Sequence, residues 1–195
     1  MNKSILILGI VSMLSLVSCR TTVNLSRYGV FDVKNDSTIS MNGVIGGRTD
    51  NHFENLLKKY PNIMWIELEN CPGSRNDEVN LKVAKKMFDL GLNTKVFSNS
   101  VIASGAVDLF LIGIKREVAP GAKIGVHSWA GEGKVPSELP PDDPAHYLYI
   151  DFYKSIGMSE IESTEFYFFT IKSAEAHDIH WMTEAEIEFY NMRTN

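Results

Sequence analysis

Three short stretches of this chain carry residue types suited to attack on a carbonyl. The first is Ser98-Asn99-Ser100-Val101-Ile102-Ala103-Ser104-Gly105-Ala106. Ser104 stands between two small residues where a strand gives way to an apolar helix. A hydroxyl at a helix N-terminus meets free N–H groups and a dipole that favour developing negative charge. The same placement suits an ordinary helix N-cap, a role that serine fills routinely. The second is Ala119-Pro120-Gly121-Ala122-Lys123-Ile124-Gly125-Val126-His127-Ser128-Trp129. There a histidine ends an apolar strand and borders a loop, from which an imidazole can reach a cleft as a base or simply satisfy a structural bond. The third is the turn Cys71-Pro72-Gly73-Ser74, whose N–H groups either help to hold an oxyanion or only close the turn.

The elements that must position these residues alternate between strand and helix. Phe31 to Val33 and Ile39 to Ile45 read as short strands, with Asn35-Asp36-Ser37 as a turn between them. His52 to Tyr60 reads as a helix stopped by Pro61. Ile63 to Leu68 is a nearly continuous apolar strand, of the kind buried on both faces. Asp77 to Leu90 has apolar residues at helical spacing and Gly91 as its stop. Thr94 to Phe97 is the next strand, Ala103 to Ile114 a helix apolar almost all round, and Ala122 to His127 a further strand. Strands separated by helices of this length require crossover connections, hence an α/β domain with mostly parallel pairing. Gly131 to Pro144, rich in Gly, Pro and Asp, reads as a loop or lid. The segments Ala145 to Ile156, Ser159 to Ser173 and Thr183 to Tyr190 read as a helical C-terminal part, and the aromatic groups Tyr147-Tyr149-Phe152-Tyr153 and Phe166-Tyr167-Phe168-Phe169 as its packing.

Taken together and in order, the three stretches resemble the ClpP-type serine peptidases, and especially their exported bacterial relatives. That family pattern is a strand, a Ser-Pro-Gly-Gly turn and a helix. A second strand follows, then an Ala-Ser-small-Ala helix start, then Pro-x-Ala-x-x-x-x-His. The corresponding residues here are Cys71-Pro72-Gly73-Ser74, Ala103-Ser104-Gly105-Ala106 and Pro120 to His127, and the likeness spans about residues 38 to 190. The resemblance implies a ClpP/crotonase-like spiral of mostly parallel strands with crossover helices. It implies Ser104 as nucleophile, His127 as base, and an oxyanion hole from the N–H groups of Gly105 and of Gly73 or Ser74. The family's orienting Asp precedes a Phe/Trp-Met-Ser/Thr-Ala-x-Glu stretch, which here reads Trp181-Met182-Thr183-Glu184-Ala185-Glu186. Strict alignment puts Ile179 at the acid's place, with Asp178 one residue early. Asp178 is the candidate acid; His177 or His180 could replace it, and a Ser-His dyad is the remaining arrangement. Ser74 stands where the family has glycine, a position that would be strained if it required φ > 0.

The N-terminus sets where such a domain would work. Lys3, an apolar run from Ile5 to Leu16 and then Leu16-Val17-Ser18-Cys19 describe an export signal too short to span a bilayer comfortably. Leu-Val-Ser-Cys looks like a bacterial lipobox. The reading is a lipoprotein signal over residues 1–18, a tether lipidated at Cys19 over 19–27, and one ClpP-like domain over 28–195. Each acyl CH₂ buried in a membrane contributes about 0.8 kcal/mol, so two or three chains anchor a soluble domain. Arg20 after the cysteine leans towards the outer membrane, with the domain facing the periplasm. Lipidation would leave Cys71 as the only thiol, read as a small buried hydrophobe. Among the 195 residues the net charge is −5 and no basic run exceeds two residues, which argues against nucleic acid as a partner. No Cys or His cluster has metal-ligand spacing, and neither metal nor cofactor is expected. The expected partners are a peptide or protein substrate, further copies of the chain, and the membrane through its lipid. The competing expectation is a catalytically weak or inactive ClpP-like scaffold that binds peptides or envelope proteins.

Overall fold

The computed structural model describes residues 27–131 and 133–194; the signal segment and Cys19 lie outside them. The chain opens with two antiparallel pairings, β1 (Arg27–Tyr28) on β2 (Phe31–Asn35) and β2 on β3 (Thr38–Met41). The turn between β2 and β3 is closed by the Asn35 side chain, whose Oδ1 accepts from the Ser37 N–H. Arg27, expected in the tether, already belongs to this sheet.

From β3 the pairing becomes parallel. Helix α1 (Thr49–Lys59) crosses to β4 (Trp65–Cys71), α2 (Asp77–Asp89) to β5 (Asn93–Ala103), and α3 (Gly105–Leu111) to β6 (Arg116–Val118). The next strand is β7 (Lys123–Val126), and the sheet order is β1-β2-β3-β4-β5-β7-β8, with β6 also on β5. Strand β8 (His180–Trp181) adds antiparallel to β7 at the edge. The α/β reading with mostly parallel pairing therefore holds. Helices α4 (Tyr147–Ser155), α5 (Glu160–Ser173) and α6 (Glu184–Phe189) form the expected helical C-terminal part. The last two start at capping boxes, Ser159 with Glu162 and Thr183 with Glu186, which satisfy the first free N–H groups. Among the described residues no helix is long and apolar enough to cross a membrane.

The core lies on one face of the central parallel strands. The other face of β4 and β5 carries Glu67, Glu69 and Lys95, partly exposed and in part ion-paired with Lys34 and Glu117, so β4 is not buried on both faces as its apolar run suggests. Ile39, Ile66, Leu68, Val96, Ile102 and Ile124 are fully or almost fully buried, as are Val83, Ala84 and Met87 on the inner face of α2. Every residue of α3 is buried, including Leu109, Phe110 and Leu111. Each large side chain of that kind contributes about 1.5–3 kcal/mol by leaving water.

Strand β5 differs most from expectation. It runs to Ala103, well beyond Phe97, because its two halves serve two neighbours. Thr94 to Val96 pair with β6, and Val101 to Ala103 pair with β7. The bend between them coincides with a register shift against β4, and Ser100 fills it. The buried Ser100 hydroxyl accepts from the Phe97 N–H and donates to the Leu68 carbonyl. Helix α3 consequently begins at Gly105, two residues later than its apolar pattern suggests.

Candidate active site

The end of β5 places Ser104. Its N–H donates to the Gly125 carbonyl of β7 at 3.0 Å, continuing the ladder by one residue. Its carbonyl then accepts from the Val107 N–H at 2.7 Å, starting α3. Between these two bonds the backbone must turn sharply, and Ser104 takes φ 54°, ψ −134°. Only one other non-glycine among the described residues, Asn191, has positive φ. Such a conformation costs about 1–3 kcal/mol and persists where the surroundings over-determine it. The side chain makes no capping bond. Capping therefore does not explain the serine, and its hydroxyl faces a cavity.

The Gly73-Ser74 turn presses against this residue. Gly73 has φ 129°, and a Cβ there would lie 2.8 Å from Ser104 Cβ and 3.2 Å from its Oγ. Glycine is required on both counts. Ser74, in contrast, is not among the positive-φ residues, so the departure from glycine brings no strain. The Ile45 N–H donates to the Gly73 carbonyl and the Arg75 N–H to the Ile45 carbonyl, each at 2.9 Å. Strand alternation then turns the N–H of Ser74 away from Ile45, towards the β5 side. At the start of α3, a Cβ on Gly105 would meet Asn80 Nδ2 and Ser74 Cβ, both at 2.8 Å. Small residues thus bring three backbone segments together around one hydroxyl, and the N–H of Gly105 is among the unpaired donors of a helix start.

Ser104, Gly105, Ser74 and His127 line one cavity of about 260 Å³. His127 follows the buried end of β7. Its Nδ1 is buried and has no hydrogen-bond partner among the described residues, and the residue lines the cavity. Asp178 is not brought to it. That carboxylate is exposed, and its Oδ1 accepts from the N–H of Ile179. The β7–β8 register pairs Val126 with His180 and Gly125 with Trp181, so its continuation sets Ile179 opposite His127. Ile179 packs on the open face of Gly125, with Cγ2 2.6 Å from where a Cβ would stand. The two neighbouring histidines are engaged elsewhere, His177 beside Glu175 at 3.5 Å and His180 with Glu186 at 3.0 Å. Among the described residues no acid bonds the imidazole: the strict position carries Ile179, and the candidate Asp178 stays on its own chain, which leaves the dyad arrangement. Cys71 is fully buried, donates to the Met41 carbonyl, and burial pushes its thiol up to about 12, so it stays unreactive.

Sequence reasoning did not find the polar half of the cavity. Asp77 and Asp108 both line it. The Asp77 carboxylate accepts from the Ser74 and Tyr149 hydroxyls, and Asp108 from the Tyr153 hydroxyl and the Asn80 amide. Burial, opposed by the Tyr153 bond and reinforced by the charge of Asp77, lifts the Asp108 carboxyl to about 7. Tyr149 and Tyr153 are therefore not only helix packing. The available signal was Asp108 itself, a charge inside Gly-Ala-Val-Asp-Leu-Phe-Leu. The far wall holds Trp129, whose Nε1 donates to the Tyr167 hydroxyl at 2.9 Å. That hydroxyl lies 2.7 Å from Nδ1 of the buried His146, whose Nε2 bonds the Pro140 carbonyl in the 131–144 loop.

No protein-family model and no curated protein matches the sequence. Solved structures do match the fold. The 1510-N membrane-bound stomatin-specific protease, in a serine-to-alanine mutant, has a TM-score of 0.50 at 18% identity, covering 80% of this chain and 76% of its own. A mutant of ClpP1 from Listeria monocytogenes has a TM-score of 0.50 at 15% identity, covering 81% of this chain and 89% of its own. The fold is that of the ClpP-like serine peptidases, in the ClpP/crotonase class.

Proposed function

We propose that the chain is a serine hydrolase that cleaves peptides through an acyl-enzyme on Ser104. The observation that carries this reading is Ser104 itself, a strained, uncapped serine facing a cavity that it shares with His127. A scissile carbonyl bound there meets the hydroxyl on one side and main-chain donors on the other. Nε2 of His127 takes the hydroxyl proton as Oγ bonds to the carbonyl carbon, and the N–H groups of Gly105 and Ser74 receive the oxyanion. The imidazolium then returns the proton to the leaving amine, and water repeats the sequence on the ester. One such donor is worth about 3 kcal/mol in the transition state.

The unpartnered Nδ1 of His127 supports a Ser-His dyad. Among the described residues no carboxylate bonds His127 to stabilise the imidazolium that forms, so turnover is slow relative to a complete triad. The same atom favours the second reading, an inactive scaffold that binds peptides without cutting them. Labelling by a small fluorophosphonate separates the two. Labelling lost in Ser104→Ala and kept in Ser98→Ala supports the hydrolase; no labelling of the wild-type chain leaves the scaffold.

The same proposal places the domain at the cell envelope, facing the periplasm, held by acyl chains on Cys19. Metabolic palmitate labelling that persists in Cys19→Ala would remove that anchor. Ile161 and Phe189, each 70% exposed on the C-terminal helices, suit a homo-oligomeric contact. Sedimentation of the detergent-solubilised chain tests it, and a monomer at all concentrations rejects it.

A further inference from the structure

The cavity beside Ser104 is walled in a way that hydrolysis alone does not require. Asp77 comes from the first turn of α2 and Asp108 from the middle of α3, and the two carboxylates are close enough for one charge to perturb the other. All their recorded hydrogen bonds come from neutral donors, the hydroxyls of Ser74, Tyr149 and Tyr153 and the amide of Asn80. Among the described residues neither carboxylate forms an ion pair. Arg75 also lines the cavity but is exposed at its rim.

Counting donors and acceptors sharpens this. Four carboxylate oxygens receive one bond each, and each oxygen has a second lone pair. Asn80 is fully buried in the same group, and its Oδ1 has no donor at all. The group is therefore short of donors and of positive charge. An uncompensated buried charge is costly, whereas an ammonium or guanidinium brings several donors and the missing charge together. The cavity walls add Tyr149 and Tyr167, stacked at 5.9 Å, with Trp129 bonded to the latter. Aromatic faces attract an alkylammonium through its charge and pack its methylenes.

Resting on the hydrolase reading, we propose that this cavity is the specificity pocket and that it takes a basic side chain, lysine or arginine, from the residue whose carbonyl Ser104 attacks. Asp77 and Asp108 pair with the cation, and the aromatic wall holds its stem. The volume of about 260 Å³ accommodates one such side chain. Asp108, which burial holds at about 7, gains from this cation what the fold withholds.

Two measurements on the full chain in detergent test this. In the first, capped tetrapeptides ending in lysine or in its uncharged isostere norleucine are titrated into Ser104→Ala. The lysine peptide is expected to bind at least tenfold more tightly, and the difference is expected to vanish in Ser104→Ala carrying Asp77→Asn or, separately, Asp108→Asn. Equal or tighter binding of norleucine, or binding of neither, overturns the proposal whatever the variants do. In the second, wild-type chain is treated with diphenyl phosphonates of the same two peptides and with a small fluorophosphonate. Faster modification of Ser104 by the lysine phosphonate supports the pocket. Modification by the small probe without that preference sinks the pocket and spares the hydrolase. Selective lysine binding without modification by any probe sinks the hydrolase and leaves the basic-side-chain pocket standing.

Discussion

Two regions flank His127, and they are built on different terms. On one side, the corner formed by β5, α3 and the 71–74 turn is fixed by main chain. The Ser104 N–H bonds Gly125, Gly73 has no room for a Cβ, and Gly105 is wedged between Asn80 and Ser74. On the other side, the edge at 176–181 is fixed by little. Strand β8 has two residues and one neighbour, and Asp178 is exposed and turned onto its own chain. A nucleophile and its oxyanion donors set by backbone geometry depend on close main-chain packing, and so on glycine at positions 73 and 105. An orienting acid depends on one side chain at one register position, and an isoleucine there removes it.

That contrast is broken most directly at Gly73. Gly73→Ala puts a Cβ 2.8 Å from that of Ser104 at φ 129°, and is expected to lower fluorophosphonate labelling at least 100-fold. It should also lower the unfolding free energy by about 1–3 kcal/mol, read by chemical denaturation. A labelling rate within threefold of wild type would show that the corner is looser than its contacts imply.

The opposite edge can be repaired instead of broken. Ile179→Asp sets a carboxylate opposite His127, and the labelling rate is expected to rise about tenfold at pH 8. The charge favours the imidazolium, so the midpoint of the pH profile should move up. An unchanged profile would mean that position 179 does not reach the imidazole.

A smaller effect concerns Asp108. Its folded pKa of about 7 lies above the unfolded value of about 3.9, so the native state holds the proton more tightly. Its contribution favours folding below about pH 4 and is lost as the pH rises towards 7. Asp108→Asn removes this dependence. The variant is expected to melt higher than wild type at pH 8 and to lose that advantage at pH 4, measured by circular dichroism. The smallest effect is expected for Asp178→Ala, with labelling within twofold of wild type; a larger loss would restore Asp178 as an orienting acid.

The elements that were legible are those whose signal lies in their own residues. The apolar residues of α2 fall at helical spacing and Gly91 follows its end, Pro61 follows the end of α1, and the apolar run around Ile66 and Leu68 marks a strand, one face of which is only partly buried. Strands β1, β6 and β8 were not legible. Two or three residues such as Arg-Glu-Val or His-Trp carry no period, and only a neighbouring strand makes them extended.

The candidate site divides along the same line. The order and spacing of Gly73, Ser104, Gly105 and His127 are properties of the chain, and they were enough to suggest a nucleophile, a base and an oxyanion hole. By itself the sequence determined which residues could do chemistry and the kind of sheet that would carry them. Only tertiary structure decided that β5 bends to serve two partners and drives Ser104 into positive φ, that the Asp178 carboxylate stays off His127, and that Asp77 and Asp108 meet in one cavity. The reason is physical. Hydrogen-bond periodicity and turn preference act over a few residues, whereas the meeting of α2, α3 and β8 is set by packing between segments far apart in the chain.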